Sequence, residues 1–222
     1  MRVEVRHEDS HPILVIGLGS GDAITAEAGT MMTVGDGVTM QQPEEGGVLD
    51  SIRKRLSDRT PIRVARFVAE TAGEVMLSPP LPGDIVRVPV GDDPINVVQA
   101  GSFVAAHDNV SLRSTSSREH TLRGEELSFL QLTGSGSAFL AGYGAIETRS
   151  LNRGDRLTAD AGHVIAFTGV SHELETVKGL KSAVFEDEGV VSRFRGPGTV
   201  WLQTRSHDSH LAWLQPQLAE LQ

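Results

Sequence analysis

Cysteine is absent from the 222-residue chain, and with it go thiol nucleophiles, disulfides and thiolate metal sites. Lysine is nearly absent too: Lys54, Lys178 and Lys181 are the only three, and the formal charge is −9. That balance argues against long-range attraction to nucleic acid or anionic lipid, which need concentrated positive charge. No stretch approaches the ~18 apolar residues of a membrane span, and the opening MRVEVRHEDS has no apolar run of the signal-peptide kind. The expectation is a soluble cytoplasmic protein. Neither a G-x-S-x-G nucleophile elbow nor an H-x-H pair of the cupin type occurs. Long helical periodicity is scarce as well, because 24 glycines and ten prolines divide the chain into short pieces.

What remains is a succession of short strands. Val3-Val5, Ile13–Ile16, Val97-Val98, Phe139-Leu140 and Val200–Leu202 alternate or run apolar over a few residues between turn formers. The 39% hydrophobic content is enough for a substantial core at this length. Comparing the chain with itself shows more. LGSGDAITAEAG (18–29) and LNRGDRLTADAG (151–162) share seven of twelve residues, and LPGDIVRV (81–88) is a looser third version that reaches its own Ala100-Gly101. A second motif, glycine followed four residues on by leucine, occurs at Gly73, Gly136 and Gly198, 63 and 62 residues apart. Two independent motifs with one period point to a triplicated all-β unit, over approximately 1–75, 76–137 and 138–205, with strands open to exchange between units. Residues 206–222, with Leu211, Leu214, Leu218 and Leu221, read as a C-terminal helix interrupted near Pro216 and docking on a sheet or a neighbouring subunit.

The repeat decides how ILVIGLGSGDAI (13–24) is read. An apolar run into three glycines resembles a nucleotide-binding loop, which works only where a helix begins after the glycines. The matching stretch at 151–162 has Leu151-Asn152-Arg153 before its Gly-Asp, without the extra glycines, and leads into β-rich HVIAF. Gly-Asp is therefore a turn between strands. The doublet in Arg195-Gly-Pro-Gly-Thr-Val-Trp201 is excluded as a phosphate loop because Pro197 removes a backbone donor.

The stretches AEAGTMM (26–32), LSPPLPGDIVRV (77–88), QAGSFVA (99–105), GYGAIE (142–147), AGHVIAF (161–167), GLKSAVF (179–185) and RFRGPGTVWLQTRS (193–206) closely resemble the altered inheritance of mitochondria protein 24 family, in order and spacing. Two turns depart from the family pattern, as Gly124-Glu-Glu-Leu127 and Asp187-Glu-Gly-Val190. The resemblance implies three tandem β-sandwich units like that of the tryptophan RNA-binding attenuation protein, a short relative of the double-stranded β-helix, with pseudo-threefold arrangement. It also implies a homotrimer, and a link to membrane or organelle organisation without an established activity.

Candidate sites are few. His7-Glu8-Asp9-Ser10-His11 matches H-E-x-x-H, but zinc binding needs both histidines on one helical face, and Pro12 disfavours helix at His11. The expectation is a polar turn. His207 and His210, spaced H-x-x-H, read as a solvated face. His163 stands where the other units place Thr30 and Ser102, so a hydrogen-bonding role in a turn is the first reading and a functional histidine the second. Tyr143, Trp201 and Arg205 are candidates to line a ligand or interface groove with it. Residues 42–60 carry Val48, Leu49, Ile52 and Leu56 on one helical face beside Arg53-Lys54-Arg55; a cover packed on its own domain is the first reading, a membrane- or partner-contacting arm the second. The sequence thus points to an oligomeric scaffold or interaction protein without cofactor or metal. A small-ligand- or RNA-binding protein is the alternative, and a metal-dependent β-helix enzyme comes third.

Overall fold

The computed structural model describes residues 1–8, 10–41, 62–91, 96–122, 125–177 and 189–219. Strands β1 (Arg2–Arg6), β2 (Ile13–Leu18) and β3 (Ala23–Glu27) lead to a 3-10 turn at Ala28–Thr30, then to β4 (Met31–Val34), β5 (Val38–Gln41), β6 (Val64–Ala69) and β7 (Gly73–Leu77). β8 (Gly83–Val90) and β9 (Asn96–Gln99) reach a second such turn at Ala100–Ser102. β10 (Phe103–His107), β11 (Val110–Leu122), β12 (Glu125–Gly134) and β13 (Gly136–Tyr143) follow. After β14 (Ile146–Leu151) and β15 (Arg156–Asp160) a third turn, Ala161–His163, opens onto β16 (Val164–Thr168), β17 (Ser171–Val177), β18 (Gly189–Arg195) and β19 (Gly198–Gln203). Helix α1 (His207–Ala219) ends the described chain. The all-β expectation with a C-terminal helix holds.

The strands form four antiparallel sheets. Sheet I has the order β1-β2-β7-β4, sheet II β5-β6-β3-β10-β13-β8, sheet III β11-β12-β9-β16-β19-β14, and sheet IV β15-β18-β17. They stack in series with a core between each pair. Leu14, Ile16, Ile24, Phe67, Leu77 and Phe139 fill the space between sheets I and II. Val88, Phe103, Leu130, Leu140, Ile165 and Trp201 lie between II and III. Phe129, Val164, Phe167, Phe194 and Val200 lie between III and IV. Each large side chain so buried contributes about 1.5–3 kcal/mol, and β6 shows why the sequence folds this way: Ala65, Phe67 and Ala69 are buried while their neighbours are partly exposed.

The glycine run that resembles a nucleotide loop is a turn. Asp22 accepts a hydrogen bond from the Gly19 N–H (2.9 Å), and Asp155 accepts one from Asn152 N–H (2.7 Å) in the matching place. The residue before each aspartate, Gly21 or Gly154, has a left-handed φ of 85° or 94°, which glycine adopts without steric cost. His7, Glu8, Ser10 and His11 lie between β1 and β2, where Ser10 N–H donates to the His7 carbonyl and His7 itself has φ 61°. That is the expected turn and not a metal-binding helix. Gly73, Gly136 and Gly198 begin β7, β13 and β19, so the second recurring motif marks one kind of strand start.

One expectation is corrected. α1 runs through Pro216 to Ala219 without interruption; the missing proline N–H costs one helical hydrogen bond, which this helix tolerates three residues before its end. The 42–60 segment lies outside the described residues.

Backbone crowding at the strand starts is testable. A Cβ on Gly198 would sit 2.3 Å from the Thr168 carbonyl oxygen at φ +150°, whereas one on Gly29 meets nothing within 4 Å. Gly198→Ala is expected to lose about 2–4 kcal/mol in urea unfolding, and Gly29→Ala to stay within about 1 kcal/mol of the parent.

Candidate functional site

Three of the four sequence-selected residues gather at one end of the third sheet, and a residue the sequence reading passed over joins them. Gln203, the last residue of β19, is 4% exposed. Its side-chain carbonyl accepts the Tyr143 N–H (2.9 Å) and its side-chain amide donates to the Gly162 carbonyl (2.8 Å). Its own backbone carbonyl lies 2.7 Å from His163 Nδ1. One buried amide thus ties the end of β13 to the third 3-10 turn. Arg205 N–H donates to the Tyr143 carbonyl (3.1 Å), and its guanidinium carbon is 6.0 Å from the tyrosine ring centre, at the outer reach of a cation–π contact.

Helix α1 completes the group. Buried Ser206 is its N-cap, with Oγ accepting from Ser209 N–H at 3.2 Å. A helix started there carries His207 and His210 over Tyr143, each ring centre 5.7 Å from that of the tyrosine. His210 also stacks on Trp213, at 6.0 Å. Tyr143 is therefore ringed by a guanidinium and two imidazoles, groups able to hold an anion or a planar polar ligand. Trp201 is not part of this group: it is buried in the core between sheets II and III. H-x-x-H at a helix start was the available signal for His207 and His210, because three residues bring side chains to one face. Gln203 gave only the weaker sign of a polar residue closing an apolar strand. Among the described residues, no three histidine or carboxylate side chains converge as a metal-binding set.

At the places matching His163, Thr30 donates to the Glu27 carbonyl (2.7 Å) and Ser102 is buried. His163 too is hydrogen-bonded in its turn, to a different carbonyl. The residues just before the three turns are Glu27, Gln99 and Asp160. Asp160 accepts from Gly162 N–H at 2.9 Å, while Gln99 Oε1 is buried without a hydrogen bond among the described residues. Burial pushes the Glu27 carboxyl up to about 7.

Fold and site together define an all-β protein of serially stacked antiparallel sheets with a polar aromatic cluster under its terminal helix. Residues 3–205 match the family described as Mitochondrial biogenesis AIM24, and the chain belongs to that family. It is similar to an uncharacterized protein of Streptococcus pyogenes serotype M6, 22% identical over 214 residues that make up 92% of this chain and 86% of the relative. It also shares its fold with a Streptococcus pyogenes protein known from an X-ray structure, at a TM-score of 0.82 and 21% identity, over 97% of this chain and 99% of that one.

Two outcomes are expected. Gln203→Leu leaves Tyr143 N–H and the Gly162 carbonyl without their partner, and should cost about 2–4 kcal/mol in urea unfolding. Glu27→Gln bears on pH. Below about pH 4.5, the ordinary glutamate value, the carboxyl is protonated folded or unfolded; from there to about 7 only the unfolded chain releases its proton. Parental stability therefore falls with rising pH through this window, and the penalty is complete above it. The urea midpoint of Glu27→Gln relative to the parent should rise between pH 4.5 and 7 and then level off.

Proposed function

We propose that this protein is a cytoplasmic, non-enzymatic scaffold that works as an assembly of copies, built from three tandem units of the attenuation-protein type. The carrying observation is apolar surface presented by ordered structure. Leu211, Trp213 and Leu218 of α1 are 48%, 61% and 50% exposed. Large side chains held in water on a capped helix are surface for another protein. The recurrence of turn, bulge and strand start supports the three-unit reading: after each 3-10 turn the pairing register slips at the same step, Met31/Thr33, Phe103/Ala105 and Val164/Ala166. The family's description connects it with mitochondrial biogenesis, and organising other proteins is the form of that connection this surface favours. No helix of the described residues is long and apolar enough to cross a membrane.

A second reading has its own observation. The guanidinium and imidazoles around Tyr143 suit a small anionic ligand, which would make the protein a binding module. RNA fits less well with a charge of −9, since phosphate contacts supply most of such affinity.

Native mass spectrometry of protein purified without chelators separates these readings. The expected result is a species of three chains of 23.8 kDa each without adduct. A monomer at micromolar concentration overturns the scaffold; a stoichiometric small-molecule or metal adduct transfers the role to ligand binding.

A further inference from the structure

The outward face of sheet IV departs from the matching face of sheet II. β15 and β3 each follow a Gly-Asp turn, and the strands beside them pair in the same register. On sheet II one row of opposed residues reads Ala23–Val68–Thr39, and the row two residues along reads Thr25–Arg66–Gln41. On sheet IV these rows read Arg156–Arg195–Ser171 and Thr158–Arg193–Glu173. The second rows are alike: each has a central arginine that holds a carboxylate, Arg66 that of Asp108 and Arg193 that of Glu175. The first rows are not. Two arginines stand opposite each other where sheet II has alanine and valine.

Part of this difference follows from position in the stack. Ala23 and Thr25 are buried, whereas Arg156, Thr158, Arg193 and Arg195 are exposed, because sheet IV is the last layer among the described residues. An exposed face needs polar side chains, but it does not need like charges in register. Arginines directly opposite one another on a ladder repel, and this chain has 29 acidic side chains against 20 basic ones to choose from. Among the described residues neither Arg156 nor Arg195 forms an ion pair.

Beside this row the surface dips into a recess of about 60 Å³, lined by Arg156, Arg195, Ser171 and Thr158 together with Arg193 and Glu173. Arg193 is already neutralised by Glu175, so the two opposed guanidiniums carry the uncompensated charge. Each is a planar fork able to give two parallel N–H bonds to one oxyanion, and the Ser171 and Thr158 hydroxyls can donate as well. The recess suits one compact anion. An extended polyanion would meet a net charge of −9 beyond it.

We propose that the row Arg156–Arg195–Ser171 is a binding site for a phosphate dianion, free or as the monoester of a small molecule. It lies on other strands than the Tyr143 cluster and rests on neither reading given above.

Isothermal titration calorimetry with inorganic phosphate, and separately with glycerol 3-phosphate, at fixed ionic strength tests it. The expected result is one saturable site per chain. The tighter of the two probes tells whether the free ion or the monoester is the better ligand, and either supports the site. Arg156→Gln and Arg195→Gln should each lose about ten- to a hundredfold in affinity, the loss of one set of charge-assisted hydrogen bonds. Arg2→Gln makes the same change of net charge at a side chain of sheet I that is 83% exposed, and should keep the parental affinity. Urea unfolding gives a second readout. Without phosphate, Arg156→Gln should have a higher midpoint than the parent, because the opposed charges are gone. Added phosphate should raise the parental midpoint far more than that of the variant.

No saturable binding of either probe by the folded parent overturns the proposal, as does binding that both arginine variants leave unchanged. Binding lost in Arg205→Gln and kept in Arg156→Gln also overturns it, and moves the anion to the Tyr143 cluster.

Discussion

Strand sharing between successive layers is the constraint on which the rest of this structure depends. β10 belongs to the same sheet as β3, and β16 to the same sheet as β9, so neither inner sheet is contributed by one continuous stretch of chain. Each inner sheet consequently carries a core on both faces. Phe139 packs toward sheet I and its neighbour Leu140 toward sheet III. Val164 faces sheet IV and Ile165 faces sheet II. Strands buried on both sides cannot alternate apolar with polar, which is why FVAA and VIAF read as unbroken apolar runs. The same sharing ties the layers into one cooperative body, because removing one unit would strip a neighbouring sheet of strands.

This explains what the sequence made legible. Turn chemistry is local, so the Gly-Asp turns before β3 and β15 and the glycine that opens β7, β13 and β19 were legible by spacing. The Gly83-Asp84 pair, by contrast, opens strand β8 and is not a turn of that kind. The Asp22 and Asp155 side chains each cap a backbone N–H three residues earlier, a relation that needs nothing from the rest of the fold. Burial is not local. Met31-Met32 and Phe103-Val104 are equally apolar pairs in equivalent contexts, yet the first is exposed and the second buried. What distinguishes them is whether a sheet precedes their own, and no property of the residues encodes that. Trp201, a candidate for a groove, lies in the core for a related reason: on a strand with cores on both faces, alternation does not say which side a ring enters.

The candidate site shows the complementary limit. His163 stood out as a histidine where the other turns carry Thr30 and Ser102, and Tyr143 and Arg205 as candidates to line a groove, but the residue that assembles them did not. Gln203 occupies a strand position where Leu202 and Trp201 precede it, and its role depends on Gly162 and Tyr143 lying within hydrogen-bond reach from two other elements. A buried side-chain amide with two such connections fixes geometry because each lost partner leaves an unpaired group in a region of low dielectric. The site is accordingly a product of tertiary structure more than of motif.

Its location carries a further consequence. The third 3-10 turn differs from the first two in having α1 above it, capped by Ser206, whose Cβ lies 3.3 Å from where a Cβ on Gly162 would be. A side chain at Gly162 would meet the helix start and the Asp160 carboxylate together, so glycine there serves the helix as well as the turn. The two histidines that reach Tyr143 come from this helix, and the other two turns have no counterpart to it among the described residues. Units alike in backbone are thereby made chemically unlike at one end only. On the scaffold reading proposed above, such an asymmetry would give every copy a single distinctive surface.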